Sequence, residues 1–588
     1  MATELPFPRT RHLALAAPPS LAEAEADGRA LLAQVAILPL DLIVRGPPAA
    51  AAGPSPAPPA STSGPAPSGS LEPARLWRIA SVDLSRPLNG DEACLDEDGN
   101  RAGGGEPVRC PSSLEGRLHA ARLAVQAAAA ADAVVLQGLS RGYALGPAAT
   151  GYCTSCEEAL IEALRGTYGE HVLRFRALST GAARDLPPRE RPFAGLRELL
   201  RFAEPLEAAK RSILRARDEA RRSRGVELMV FAETGPLDAL GLALCRHLDG
   251  LIFALPSTDP LEALFPLLAA RAALGERAAI AVAPAHATAA QVTQLAALAA
   301  ACDADLMLPP AAGSASPAHA ALAAQRRYQS LVRERFRATT PLADLTVLVA
   351  PRADHWSAGN HLRASATACA ALAGAQLQLA LRIDQLPAGQ SHHQILVVAG
   401  CAALPQEQAS AVRRHVEGGG DLLLAGPCTL VDDEGRSGEP LFAGLKPGLE
   451  RQGEGRIWAI APQGAQPPQA QLGPLILRAA RELLGRGRQS LTLAGRGQIF
   501  ARAYLDAERK LDVHLVNLAL TEAGFGPAQG LTLHIAGQAA GGGRLGYWFS
   551  PEHAAGRDGE RVALNPSGFS MSTVLPAIGA TALLAVPR

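Results

Sequence analysis

The 588-residue chain sets 56 Lys and Arg against 56 Asp and Glu, and is 48% hydrophobic but only 4% aromatic. A chain with no net charge has no global field to draw nucleic acid or an anionic membrane surface toward it, so neither partner is expected. Its length exceeds what one core serves and points to three or four domains.

The start, MATELPFPRTRH, lacks the basic region, apolar stretch and small-residue cleavage site of a secretory leader. The longest apolar stretches, residues 31–44 and 123–136, are interrupted by Asp41 and Asp132 and fall short of the roughly 18 residues that span a bilayer. A cytoplasmic protein is expected, whose nine cysteines are thiols or metal ligands rather than disulfides.

HLALAA (12–17), a helical SLAEAEADGRALLAQVA (20–36) and LDLIVRG (40–46) make one strand, helix and strand unit. Residues 48–70 are a Pro/Ala/Ser stretch with no periodicity and almost nothing to bury, and read as a disordered insertion. The alternation then resumes: LWRIASVDL (76–84), a helix from Leu114 to about Ala131, AVVLQ (133–137), and a helix opened by Cys156. It continues with VELMVF (226–231), a helix near Leu237–His247, LIFALP (251–256), a helix from Pro260 to Leu274, AAIAVAP (278–284), a helix over 289–302, and DLMLPP (305–310). About eight short apolar strands alternating with helices fit a closed (β/α)₈ TIM barrel.

A second unit runs through DLTVLVAP (344–351), a helix near Leu362–Leu372, QLQLAL (376–381), QILVVAG (394–400), a helix ending on glycines, and DLLLAG (421–426). That is the pattern of a small doubly wound α/β domain of flavodoxin type. From Ser490 onward, alternating strands such as KLDVHLVNLAL and GLTLHIAG, with turn residues between them, suggest a C-terminal β-sandwich. The expected domains are 1–340, 341–488 and 489–588.

Several stretches carry a resemblance: VRCPSSLEGR (108–117), GYCTSCEEALIEALRGTYG (151–169), ALPQEQASAVRRHVEGGGDLLLAGPCTLVDDEGR (403–436) and HLVNLAL (514–520). With the order of domains, they resemble glycoside hydrolase family 42, the β-galactosidases, which combine a TIM barrel, an amidotransferase-like trimerisation domain and a C-terminal β domain. The resemblance implies a carbohydrate ligand and a homo-oligomer, trimer or dimer. It also implies a structural zinc on cysteines: Cys110, Cys153 and Cys156 match three ligand positions, Gly151 stands at the fourth, and Cys94 in DEACLDEDGN is a possible replacement. No cofactor is required for the chemistry.

A retaining glycosidase needs two carboxylates roughly 5–5.5 Å apart at the C-terminal ends of barrel strands. The family's acid/base position falls near Gln137 and Gly138, and its nucleophile position near Ala283 and Pro284; none of these carries a carboxylate. Trp and Tyr between Leu71 and Pro341 are only Trp77, Tyr143, Tyr152, Tyr168 and Tyr328, few for stacking sugar rings. Glu233 in VFAETGP is the best remaining catalytic candidate, set against the plainer role of a loop glutamate capping the next helix. Asp83 and Asp249 also fall near strand ends, where carboxylates commonly accept from loop backbone. In the second unit Asp354, His355 and His361 follow the first strand, where a pocket could form, or where a loop could simply carry surface histidines. Cys401 lacks the glycine pair of a nucleophile elbow, and Cys428 leads into an acidic turn rather than a helix.

The expected function is therefore a β-galactosidase-like homologue that has lost its catalytic pair and serves as a carbohydrate-binding or scaffold protein. The alternative is an active, diverged glycosidase with relocated carboxylates. A third reading is a zinc-stabilised module built on Cys94, Cys110, Cys153 and Cys156.

Overall fold

The computed structural model describes residues 12–16, 41–45, 76–84, 93, 95, 109–138, 153–168, 194–309, 316–331, 340–357, 359–386, 395–431, 437–463, 467–485, 489–506, 508, 510–521, 524–526, 528–536, 544–551, 559–567 and 570–587. The expected insertion over 48–70 and the expected helix over 20–36 lie outside them.

Eight strands line up in chain order: β1 (His12–Ala16), β2 (Asp41–Arg45), β3 (Leu76–Asp83), β4 (Ala133–Gln137), β5 (Met229–Pro236), β6 (Gly250–Ala254), β7 (Ala278–Val282) and β8 (Asp305–Met307). Every neighbouring pair is parallel. Residues of β8 come within 8 Å of β1, closing the ring. Period-2 alternation divides each strand between two cores. Ala133, Val135, Phe231, Ile252, Ile280 and Met307 fill the inside, while Val134, Leu136, Val230, Leu251, Phe253 and Leu306 face the helices. Gly250 has no side chain because Phe231 takes the space: a Cβ there would stand 2.5 Å from the ring.

Around the barrel run α1 (Leu114–Ala130), α2 (Thr154–Tyr168), α3 (Ala194–Arg224), α4 (Ala239–Leu244), α5 (Pro260–Leu274), α6 (Ala289–Ala301) and α7 (Pro317–Leu331). Side-chain caps start several of them. Ser113 accepts from the Gly116 amide, Asp238 from Gly241, Asp259 from Leu261, and Thr288 forms a reciprocal box with Gln291. The 31-residue α3 is not among the elements expected from the sequence. Its Phe202, Leu206, Ala209, Ile213, Ala216 and Ala220 are buried in the barrel's outer core at helical spacing.

The middle sheet comprises β9 (Leu345–Val349), β10 (Leu379–Ile383), β11 (Ile395–Ala399), β12 (Asp421–Ala425), β13 (Gly448–Gln452) and β14 (Gly455–Ile460), in the spatial order β10-β9-β11-β12-β14-β13. All pairs are parallel except β13 with β14. The order of the five parallel strands is that of a doubly wound sheet, with its switch point between β9 and β11. Its central strands are buried on both faces. One face, with Val347, Val397 and Leu423, packs with α9 (Asn360–Gly374) and α11 (Gln469–Leu484) into the core that also serves the barrel helices. The other, with Leu348, Val398 and Leu424, is covered by α10 (Gln406–Glu417).

Beyond Ser490 two antiparallel sheets enclose a separate core around the fully buried Trp548. Thr340–Pro341 pairs with Ile499–Leu505, so the segment leaving the barrel joins the C-terminal sheet before entering β9. A TIM barrel, a doubly wound sheet and a β-sandwich follow one another along the chain. No helix of the described residues is long and apolar enough to cross a membrane.

Candidate functional site

Chemistry on a barrel of this kind is expected where β-strands end at the C-terminal mouth. Register places Asp83 on β3 beside Gln137 on β4. The pairing of Ala133 with Met229 and Leu136 with Ala232 carries Gln137 to the level of Glu233 on β5. Partners in a parallel pair share a face, so the three side chains form a row above the apolar plug. Within that row Gln137 Nε2 donates to Glu233 Oε2 at 2.5 Å. Glu233 is half-buried in the strand itself and is not the cap of the next helix, which is Asp238.

The end of β7 is closed by backbone. The Ala283 amide donates to the Met307 carbonyl at 2.8 Å, and Ala283 is buried. Neither Ala283 nor Pro284 can ionise. Asp249, before β6, accepts from the Val230 amide at 2.8 Å and pairs with Arg217 at 2.7 Å, a structural engagement outside the mouth.

The second candidate group lies at two helix starts. Cys110 sits in the turn that leads into α1, and Cys153 immediately precedes α2, whose Glu157 amide donates to the Cys153 carbonyl. Cys153 Sγ lies 3.1 Å from Cys110 Sγ, which lies 3.3 Å from Cys156 Sγ. Hydrogen bonds from the Cys110 and Cys156 thiols hold Cys153 below the usual thiol range, while the same sharing pushes Cys156 above it. The three sulfurs lie within 4.8 Å of one another. A tetrahedral zinc at about 2.3 Å from each sulfur separates them by roughly 3.8 Å, so small side-chain rotations would admit the ion and the donor set fits three of its four positions. Cys94 and Gly151 lie outside the described residues. Ala93 pairs with Arg109, and Leu95 packs against the cluster of Cys110 and Cys153.

The middle sheet departs from the loop expected after its first strand. Residues Pro351–Trp356 form a short helix, α8, and both histidines are buried. His361 Nε2 accepts from the Ala350 amide at 2.9 Å, and its Nδ1 bonds the Ala399 carbonyl at 2.7 Å. It thus fastens the ends of β9 and β11 together and plugs the switch point where such sheets hold ligands. Burial pushes it down to about 4, so it stays neutral. Asp354 accepts from the Leu362 amide at 2.8 Å, and burial pushes it up to about 6. His355 packs on the Phe202 ring of α3. Cys401 is buried, and burial and the neighbouring Cys428 push its thiol well above the usual range, which leaves no nucleophile there.

The closed parallel barrel, doubly wound sheet and terminal β-sandwich together define a glycoside hydrolase family 42-like fold. The β-galactosidase from Bacillus circulans sp. alkalophilus matches at TM-score 0.63 and 12% identity, over 98% of this chain and 99% of that one. An α-L-fucosidase isoenzyme 2 from Paenibacillus thiaminolyticus matches at 0.63 and 13%, over 98% and 100%. A GH42 β-galactosidase from G. stearothermophilus matches at 0.59 and 11%, over 87% and 88%. No protein-family model and no curated protein sequence matches the chain.

Proposed function

We propose that this protein is a glycosidase-fold barrel that binds carbohydrate without hydrolysing it. The observation that carries the reading is the Gln137 to Glu233 hydrogen bond at the mouth. An amide occupies the position implied for the acid/base, and the β5 carboxylate beside it, Glu233, is engaged by that amide. A retaining mechanism needs a second carboxylate across the sugar, and the implied nucleophile positions are Ala283 and Pro284. On this reading the chain is a cytoplasmic homo-oligomer, trimer or dimer, divided as 1–340, 341–488 and 489–588. A structural zinc is held by Cys110, Cys153 and Cys156, with Cys94 as the fourth ligand.

The test is hydrolysis of a panel of nitrophenyl glycosides by the purified protein beside its Glu233→Gln variant, with calorimetric titration of the same sugars. Binding without turnover supports the reading. Turnover that disappears in Glu233→Gln overturns it. Light scattering reads the oligomer, and metal analysis giving far less than one zinc per chain removes the zinc assignment.

A second reading has its own observation. Asp83 and Glu233 stand in one row two strands apart, a backbone separation of about 9.5 Å. Inverting glycosidases place their carboxyl groups at roughly 6.5–9.5 Å. If turnover is found, its loss in Asp83→Asn as well, with inverted anomeric product, identifies this pair.

A further inference from the structure

Among the described residues, the densest group of reactive side chains outside the barrel mouth is the thiol trio. We infer that Cys110 and Cys153 are an oxidation site, joined as a disulfide by a hydroperoxide, with Cys156 left as a thiol. The inference shares its residues with the zinc reading but needs zinc only for one consequence, release of the ion.

Cys110 and Cys153 are 43 residues apart in sequence, yet their sulfurs lie 3.1 Å apart, closer than the 3.3 Å from Cys110 to Cys156. A disulfide is about 2.05 Å long, so roughly 1 Å of side-chain movement closes the bond. Cys156 lies 3.3 Å from Cys110 and 3.7 Å from Ser112 Oγ. It is half-buried while the other two are buried, which gives a small oxidant a way in. Cys245, Cys302 and Cys369 are also buried, but burial pushes each up to about 12, leaving them as unreactive thiols.

The Cys153 sulfur attacks one peroxide oxygen and becomes a sulfenic acid while the other oxygen leaves as an alcohol, or as water from hydrogen peroxide. Cys110 then attacks the sulfenic sulfur and expels water. Two thiols give up two electrons and two protons, and the hydroperoxide takes them up. Bonding the two sulfurs to each other removes two of the three described zinc ligands.

The test treats the reduced full-length protein with hydrogen peroxide, with and without prior zinc loading, followed by thiol counting and peptide mapping. Two of the nine thiols should be lost, with a cross-link between the Cys110 and Cys153 peptides. Cys156→Ser should keep that link and Cys110→Ser should abolish it. A link through Cys156, or an intact thiol count, overturns the inference. In zinc-loaded protein a chromogenic chelator should record zinc release in step with thiol loss. If the reduced protein takes up no zinc, the metal reading fails while the peptide map still decides the oxidation site.

Discussion

Gln137 occupies a position where one added charge would change the mouth's electrostatics. In Gln137→Glu, two carboxylates would replace an amide and carboxylate now 2.5 Å apart. Both cannot ionise at that distance, so the folded pair retains a proton that the unfolded chain releases. Stability from that proton is present at low pH and lost as pH rises through the raised value. The variant's Tm should fall relative to wild type between about pH 5 and 8, by the equivalent of 1–3 kcal/mol. It should not acquire glycosidase activity, because the new pair is far closer than the roughly 5–5.5 Å of a retaining enzyme. Asp354 and His361 make an opposed pair in the same terms. His361 has an ordinary value of 6.5 and a folded value of about 4, so its contribution is full above pH 6.5 and is lost toward pH 4. Asp354 moves from 3.8 to about 6, so its contribution is full below 3.8 and is lost toward pH 6. Each is worth about 3 kcal/mol across its window. The stability advantage of wild type over Asp354→Asn should therefore grow by about 3 kcal/mol as pH falls from 6 to 4, and that over His361→Gln should shrink by a similar amount. Denaturant titration followed through the fluorescence of Trp356 and Trp458 reads both. Equal differences at the two pH values would mean that these groups titrate alike in folded and unfolded chains.

Helix α3 shows how one element's two faces separate in energy. Ile213 is 1% exposed and its neighbour Leu214 is 59% exposed. Ile213→Ala should cost about 2–5 kcal/mol, whereas Leu214→Ala should stay within about 0.5 kcal/mol, both measured by chemical denaturation. The same helix marks what the sequence conceals. Strand Ala133–Gln137 and helix Pro260–Leu274 fall where periodicity puts them, because apolar runs bounded by turn residues carry their own signal. In α3 the buried stripe is interleaved with arginines and crossed by Pro205, so charge dominates the stretch although the spacing of its six buried residues is helical. The candidate site was legible only as residue types. That the implied catalytic positions hold Gln137, Ala283 and Pro284 is visible in the sequence; that Gln137 bonds Glu233 is not, since 96 residues separate them and only barrel register brings them together. His361 was open to misreading for a related reason. A histidine after a strand looks exposed until the carbonyl it grips, 38 residues later, is in place.

At the scale of the molecule, the middle sheet and the sandwich are joined by side chains that imitate strand pairing. Gln378, buried ahead of β10, donates through Nε2 to the Ala501 carbonyl at 2.9 Å and accepts through Oε1 from the Ala503 amide at 3.0 Å. Arg502, between them, donates to the Leu379 carbonyl and to Tyr504, whose hydroxyl reaches the Ala301 carbonyl of the barrel helix α6. On the barrel side, Gln294 donates to the Asn517 carbonyl and Tyr328 to that of Phe549. Each junction satisfies buried main-chain groups that belong to a different core, so the three cores are coupled through polar groups that cannot be left unpaired cheaply. Gln378→Ala removes a donor and an acceptor together and strands the Ala501 carbonyl and the Ala503 amide. The cost should be about 2–5 kcal/mol, and it should fall on the coupling rather than on either core. In calorimetry the wild-type chain should then unfold with the sandwich and middle sheet in one transition, and Gln378→Ala should split off an earlier one. Gln378→Glu keeps the acceptor and loses the donor, and should lie between them. A variant transition that shifts without splitting would show that the clamp contributes to a core and does not join two.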